Sequence, residues 1–115
     1  MSVTLNHAAV AFAKNLIKAG KIKNDESHWS QHNPDPAHEN MFLQKHEMNE
    51  YANWHLGIDA SHQESTKGRY KFPYGDFKIV HRDGLIAAKE RAAQQGYQDI
   101  EQAADELLRL LVQHA

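Results

Sequence analysis

The stretch Asp83-Gly84-Leu85-Ile86-Ala87-Ala88-Lys89-Glu90-Arg91-Ala92-Ala93-Gln94-Gln95-Gly96-Tyr97-Gln98-Asp99-Ile100, continuing through Ala103, Ala104, Leu107, Leu108 and Leu111, decides the fold class. Leu85, Ile86, Ala88, Ala92 and Ala93 recur at helical spacing from Gly84 to Gln95. Ile100 to Leu111 then forms a second apolar stripe running to about Gln113. Asp83 and Asp99 stand where N-caps are wanted, and Gly96 stands where a left-handed residue ends a helix. Two helices joined by Gly96-Tyr97-Gln98 have too short a link to do anything but fold back on each other, so an antiparallel helical hairpin is expected.

Working outward, Leu5, Ala9, Phe12, Ala13, Leu16 and Ile17 mark another amphipathic helix from about Leu5 to Ala19. Thr4 or Asn6 would cap it and Gly20 would close it. Residues 21–36 are rich in turn formers, and Trp29 among them is expected to fold back over the core. Asp35-Pro36 offers an N-cap followed by proline at the first helical position, with Glu39 in the first turn. That helical pattern runs through Met41, Phe42, Tyr51 and Ala52 to about Leu56, with a break near Glu47 and an end at Gly57. Residues 58–66 read as a polar loop. Arg69–Phe72 and Lys78–His81 carry strand-forming residues around Pro73-Tyr74-Gly75-Asp76, which predicts a short hairpin or extended arm near residues 69–81. Pro73 places the first run at a sheet edge. The expected architecture is therefore mainly α, one domain over residues 1–115. Its parts are N-terminal helices (1–57), a loop and basic-aromatic hairpin (58–82), and the C-terminal helical hairpin (83–115).

Composition sets limits. The chain has 115 residues, 41% hydrophobic and 24% charged, enough for one modest core. It has no cysteine, which excludes disulfides, thiolate metal sites and thiol nucleophiles. Lys14 and Lys18 interrupt the apolar positions of the first helix, and no run approaches the roughly 18 apolar residues of a membrane span. A cytoplasmic protein with no membrane partner is expected.

Charge is unevenly placed. The net charge is −2, yet residues 67–82 set Lys67, Arg69, Lys71, Lys78 and Arg82 against the single acid Asp76. The same segment holds Tyr70, Phe72, Tyr74 and Phe77. Cations there can neutralise phosphates or carboxylates, and exposed rings can stack on bases. Lys67, Arg69, Tyr70, Lys71, Phe72, Tyr74, Lys78, His81 and Arg82 are thus the candidate binding residues, for nucleic acid or an acidic protein surface. The alternation of Arg69 and Lys71 with Tyr70 and Phe72 equally describes an amphipathic strand with its rings in the core.

Other chemistry is thinly signalled. His81-Arg82-Asp83 matches the start of a kinase catalytic loop, but Ala88 stands where the metal-binding Asn belongs. His62-Gln63-Glu64 matches half of a deaminase zinc signature whose other half needs cysteines. Asp76 and His81 lie close enough in sequence to form an acid/base pair. Nine histidines make a divalent-metal site or small enzyme the alternative reading, with His28, His32, His38, His46, His55 and His62 as candidate ligands. No cofactor is expected on the first reading, which is non-catalytic. A third reading is an assembly subunit: Leu110 and Val112 widen the last helix's apolar stripe, predicting a homodimer through that helix.

The run Thr66-Lys67-Gly68-Arg69-Tyr70-Lys71-Phe72-Pro73-Tyr74-Gly75-Asp76-Phe77, with Val80-His81-Arg82 and Gly84-Leu85-Ile86-Ala87-Ala88, resembles a group of small uncharacterised bacterial and prophage-associated proteins. The likeness extends to Tyr51, Trp54-His55-Leu56-Gly57 and Asp99-Ile100-Glu101. Residues 70–108 are more loosely similar to domains appended to phage-type structural or processing proteins. The resemblance implies a bacterial, phage-related setting and carries no activity and no site residue with it.

Overall fold

The structure, a computed structural model, describes residues 3–24 and 35–114. Trp29, His28 and His32 lie outside the described residues. The elements in chain order are β1 (Val3–Leu5), α1 (His7–Lys18), β2 (Ile22–Lys23), α2 (Pro36–Lys45), α3 (Met48–Ala52), β3 (His55–Asp59), a 3-10 turn (Lys67–Arg69), β4 (Tyr70–Pro73), β5 (Val80–His81), α4 (Arg82–Gln95) and α5 (Gln98–Gln113). The domain is helical with a small antiparallel three-stranded sheet, ordered β1-β3-β4, and a separate two-stranded parallel pair, β2 with β5.

The helical hairpin forms as its sequence dictates. Gly96 takes φ 80° and its N–H reaches back to Ala92 and Ala93. Leu85, Ala88 and Ala92 of α4 face Ile100, Ala104, Leu107 and Leu111 of α5, all buried. Each fully buried Leu or Ile there contributes about 1.5–3 kcal/mol. Lys89 Nζ bridges to Asp105 Oδ1 at 2.9 Å across the pair. The helices begin at Arg82 and Gln98, one residue before Asp83 and Asp99, so both acids occupy first turns, where they complement the helix dipole.

Asn6 caps α1 and does more. Its Oδ1 accepts from Ala9 N at 3.4 Å, while its Nδ2 donates to Ala52 O (3.0 Å) and His55 O (3.1 Å). One buried amide thus ties α1 to the end of α3 and the start of β3. Asp35 caps α2 through His38 N at 2.9 Å, with Pro36 in the first turn, as expected.

One expectation gives way and another holds only in part. Helix does not continue to Leu56: after α3 the chain turns at Asn53-Trp54, and His55–Asp59 becomes the central strand. It pairs with β1 (Val3↔Asp59, Thr4↔Ile58, Leu5↔Gly57) and with β4 (His55↔Pro73, Gly57↔Lys71, Ile58↔Tyr70). A short strand flanked on both sides and nearly all buried lacks the alternating pattern that announces a half-exposed one. Residues 69–81 make a hairpin only at its tip, where Gly75 bridges Val80 antiparallel and His81 N donates to Tyr74 O at 3.1 Å. Their first run becomes β4, an edge of the larger sheet, as Pro73 requires. Their second becomes β5 and pairs in parallel with β2 (Ile22↔Val80, Lys23↔His81). The bridge Gly75↔Val80 is what links the two runs. The intervening turn is organised by Asp76, whose Oδ1 accepts from Lys78 N (3.0 Å) and Ile79 N (2.9 Å), and by a left-handed Phe77 at φ 69°.

Candidate functional site

The four rings of the basic segment go inward. Phe72 is 5% exposed and Tyr74 is fully buried. Tyr74 lies 5.9 Å from Trp54 in a stacked arrangement and donates its hydroxyl to Asn53 O at 2.6 Å. Burial pushes its phenol well above the ordinary range. Phe77, half-buried, stacks on Phe42 at 4.5 Å and meets Trp54 edge-on. Tyr70, also half-buried, sets its ring edge to Tyr51 at 6.0 Å and donates to Glu64 O at 3.0 Å. A domain of this size needs these rings for its core, and the alternation of cation and ring resolves with the rings in the packing.

His81 is 1% exposed, and its Nε2–H donates to Asp76 Oδ2 at 3.0 Å. Burial raises the Asp76 carboxyl, but the His81 hydrogen bond and the Ile79 and Lys78 amides outweigh it and hold the group below the usual carboxylate range. The pair exists, and it serves the turn before β5.

The cations part company. Lys67 Nζ bridges Glu39 Oε1 (3.2 Å) and Asn40 Oδ1 (3.1 Å), which closes α2 onto the 3-10 turn. Glu39 Oε2 in turn accepts the Tyr51 hydroxyl at 3.0 Å. Arg69 donates to His62 O at 2.8 Å. Lys71 lies along a cleft beside α4. Lys78 is exposed at the turn, and Arg82 enters the first turn of α4. The segment that looked like one surface contributes to several.

The candidate metal ligands also separate. His38 pairs with Asp35 (3.0 Å), His46 stacks on Phe42 (4.1 Å) near Glu50, and His62 stands 3.8 Å from Asp59. His55 is buried with Nδ1 2.9 Å from Tyr51 O. Among the described residues no group of three or more His, Asp or Glu side chains is placed to hold a metal ion.

What does assemble lies between the start of α4 and the end of α5. Arg82 and Ile86, one turn apart, face Leu108, Arg109, Val112 and Gln113 across a groove of about 500 Å³. The antiparallel hairpin brings these helix ends together. Val112 is 58% exposed, a large apolar side chain left in water. Both charged residues of the lining are arginines, and no carboxylate lines the groove. Arg109 leans on Asp105, one turn back, while remaining 74% exposed. The excess apolar girth at Val112 was the sequence signal for this face; its second wall, Arg82 and Ile86, needed the helix crossing.

No family model matches the chain, and comparison with curated proteins and with solved structures found no match.

Proposed function

We propose that this protein is a small non-catalytic binding module that docks an acidic, amphipathic segment of a partner protein in the α4/α5 groove. The observation that carries the reading is the groove itself: Ile86, Leu108 and Val112 form an open apolar floor, and Arg82 and Arg109 rim it without a lining acid. A helix laying Leu-type anchors at i and i+4 into such a floor, with Asp or Glu on its flanks, meets both chemistries at once. Charge complementarity would steer encounter and set specificity, while apolar burial would supply most of the affinity. This narrows the basic segment's role to Arg82 together with the flanking helices. The stacking that nucleic-acid binding would draw on is weakened by the burial of Phe72 and Tyr74. No described helix is long and apolar enough to cross a membrane, and the reading places the module among cytoplasmic partners.

Fluorescence anisotropy with labelled acidic amphipathic helical peptides tests this directly. Wild type is expected to bind, more weakly as salt rises, with Val112→Glu abolishing binding and Arg82→Glu weakening it. Absence of binding at low salt, or binding indifferent to Val112→Glu, refutes the proposal. Light scattering that shows a dimer broken by Val112→Glu would make a second copy the occupant. Salt-sensitive oligonucleotide binding lost in Arg82→Glu would make it nucleic acid. Either result displaces the acidic peptide.

A further inference from the structure

A second concavity, independent of the groove, lies where α4 runs beside edge strand β4. It has a volume of about 250 Å³ and is lined by Val3, Asp59, Lys71, Phe72, Arg91, Gln95 and Tyr97. The register explains the company. Val3 pairs with Asp59 and Gly57 with Lys71, and directly opposed residues in an antiparallel ladder share a face. Asp59 and Gly57, two apart, share that face too. Val3, Asp59 and Lys71 therefore rise together from one side of the sheet. Arg91 and Gln95, one turn apart on α4, reach the same space from above.

Gly57 makes the floor. A Cβ there would stand 2.7 Å from Phe72 Cδ2 and 2.8 Å from Val3 Cγ1, so the absence of a side chain is what lets the Phe72 ring lie across the sheet against Val3. Phe72 reaches that position from a left-handed backbone, φ 62°, which a bulky residue adopts only under constraint. Tyr97 stands edge-on to it at 6.0 Å and closes the end.

The electrostatics select a sign. Among the described residues neither the Lys71 nor the Arg91 side chain makes a hydrogen bond or a close ion pair; Lys71 acts on Asp59 only at longer range. Asp59 is 2% exposed and already engaged, its Oδ1 accepting from Ser61 N (3.0 Å) and Ser61 Oγ (2.6 Å). Two cations and one committed carboxylate leave the cleft with a formal charge of +1. That balance suits a monoanion and disfavours a dianion, which Asp59 would repel. Val3, Phe72 and Tyr97 ask for an apolar body, and the volume lies just under the range of drug-sized pockets.

We infer that this cleft binds a small organic carboxylate, its anionic end held by Lys71 and Arg91 and its apolar end resting on Phe72 and Val3. Gln95, one turn from Arg91, supplies a further donor at the anionic end.

The test uses the full chain, with benzoate as the probe and amide chemical shifts as the readout. Benzoate is expected to shift the amides of Lys71, Phe72, Arg91, Gln95 and Tyr97 saturably. Its neutral isostere benzamide is expected to bind about tenfold more weakly, because the charge-assisted hydrogen bonds are lost. Arg91→Ala, at an exposed helical position where alanine keeps the helix, is expected to weaken benzoate by a similar factor. Arg109→Ala, in the other groove, is expected to leave it unchanged. Failure of benzoate to saturate these shifts overturns the inference, as does equal binding of benzoate and benzamide or indifference to Arg91→Ala. Tighter binding of inorganic phosphate than of benzoate overturns the assignment of ligand class.

Discussion

Replacing His55 with glutamine should flatten the acid side of this protein's stability profile. His55 is 3% exposed, and its Nδ1 faces the Tyr51 carbonyl at 2.9 Å. A carbonyl only accepts, so Nδ1 carries the proton and the neutral ring fits its site. A second proton would have to enter on Nε2 in a buried position, and desolvation depresses the pKa from 6.5 to about 4, against a smaller upward pull from the Tyr51 hydrogen bond. The unfolded chain takes up that proton below pH 6.5; the folded one resists it until about pH 4. Stability from this group is therefore complete above pH 6.5 and declines as pH falls through the window to pH 4. At 1.36 kcal/mol per pKa unit the loss amounts to about 3 kcal/mol. With an unfolding entropy of roughly 2.1 cal/mol/K per residue, each 1 kcal/mol corresponds to about 4 °C in Tm for a chain of this length. Calorimetric melts of wild type and His55→Gln between pH 7.5 and 4.5 isolate the effect by subtraction, since the other titrating groups are common to both. Wild type should lose roughly 10 °C more than the variant over that window. Parallel profiles would refute the reasoning, as would an NMR titration of His55 with a midpoint near its ordinary value.

Three further outcomes follow from packing and hydrogen bonding. Gly75→Ala should cost more than Gly57→Ala: the new Cβ would meet the Ile79 carbonyl oxygen at 2.6 Å, and backbone yields less than the Phe72 and Val3 side chains that crowd Gly57. Overpacking of this kind costs about 1–3 kcal/mol, and urea melts that ranked the two in the opposite order would contradict the argument. Leu107→Ala empties a fully buried site facing α4, and about 2–5 kcal/mol of stability should go with it, measured the same way. Asp76→Ala strips an acceptor from the Lys78 and Ile79 amides and from His81. It should lower stability by about 1–3 kcal/mol at neutral pH. Because the Asp76 carboxyl titrates below its ordinary value, its contribution is present above the unfolded pKa and fades as pH falls through the folded one. The gap to wild type should therefore narrow toward acid pH.

The helices could be read residue by residue because their causes are local. Asp35-Pro36, Asn6, Gly20 and Gly96 act within one turn of themselves, and the stripes Ala9-Ala13-Ile17 and Ile100-Ala104-Leu107-Leu111 repeat at the period that buries one face. Tyr70–Pro73 and Val80–His81 fall within runs whose strand-forming residues announce them, but the other strands were not legible in that way. Val3–Leu5 becomes a strand because Gly57–Asp59 lies beside it, and Ile22-Lys23 because Val80-His81 does; each partner is more than fifty residues away, and no local pattern encodes it. The same division runs through the candidate sites. Sequence alone determined that cations and rings alternate at 69–72 and that Val112 widens the last helix. Which way those rings would face depended on whether the core had other aromatics to fill it, and that is a property of the assembled packing. The two concavities, likewise, exist only where residues remote in the chain meet: Arg82 with Arg109 across a helix pair, and Lys71 with Arg91 across a strand and a helix. Side-chain chemistry is written along the chain, but convergence is decided by long-range contacts, whose chain-closure entropy is recovered only when the whole core forms.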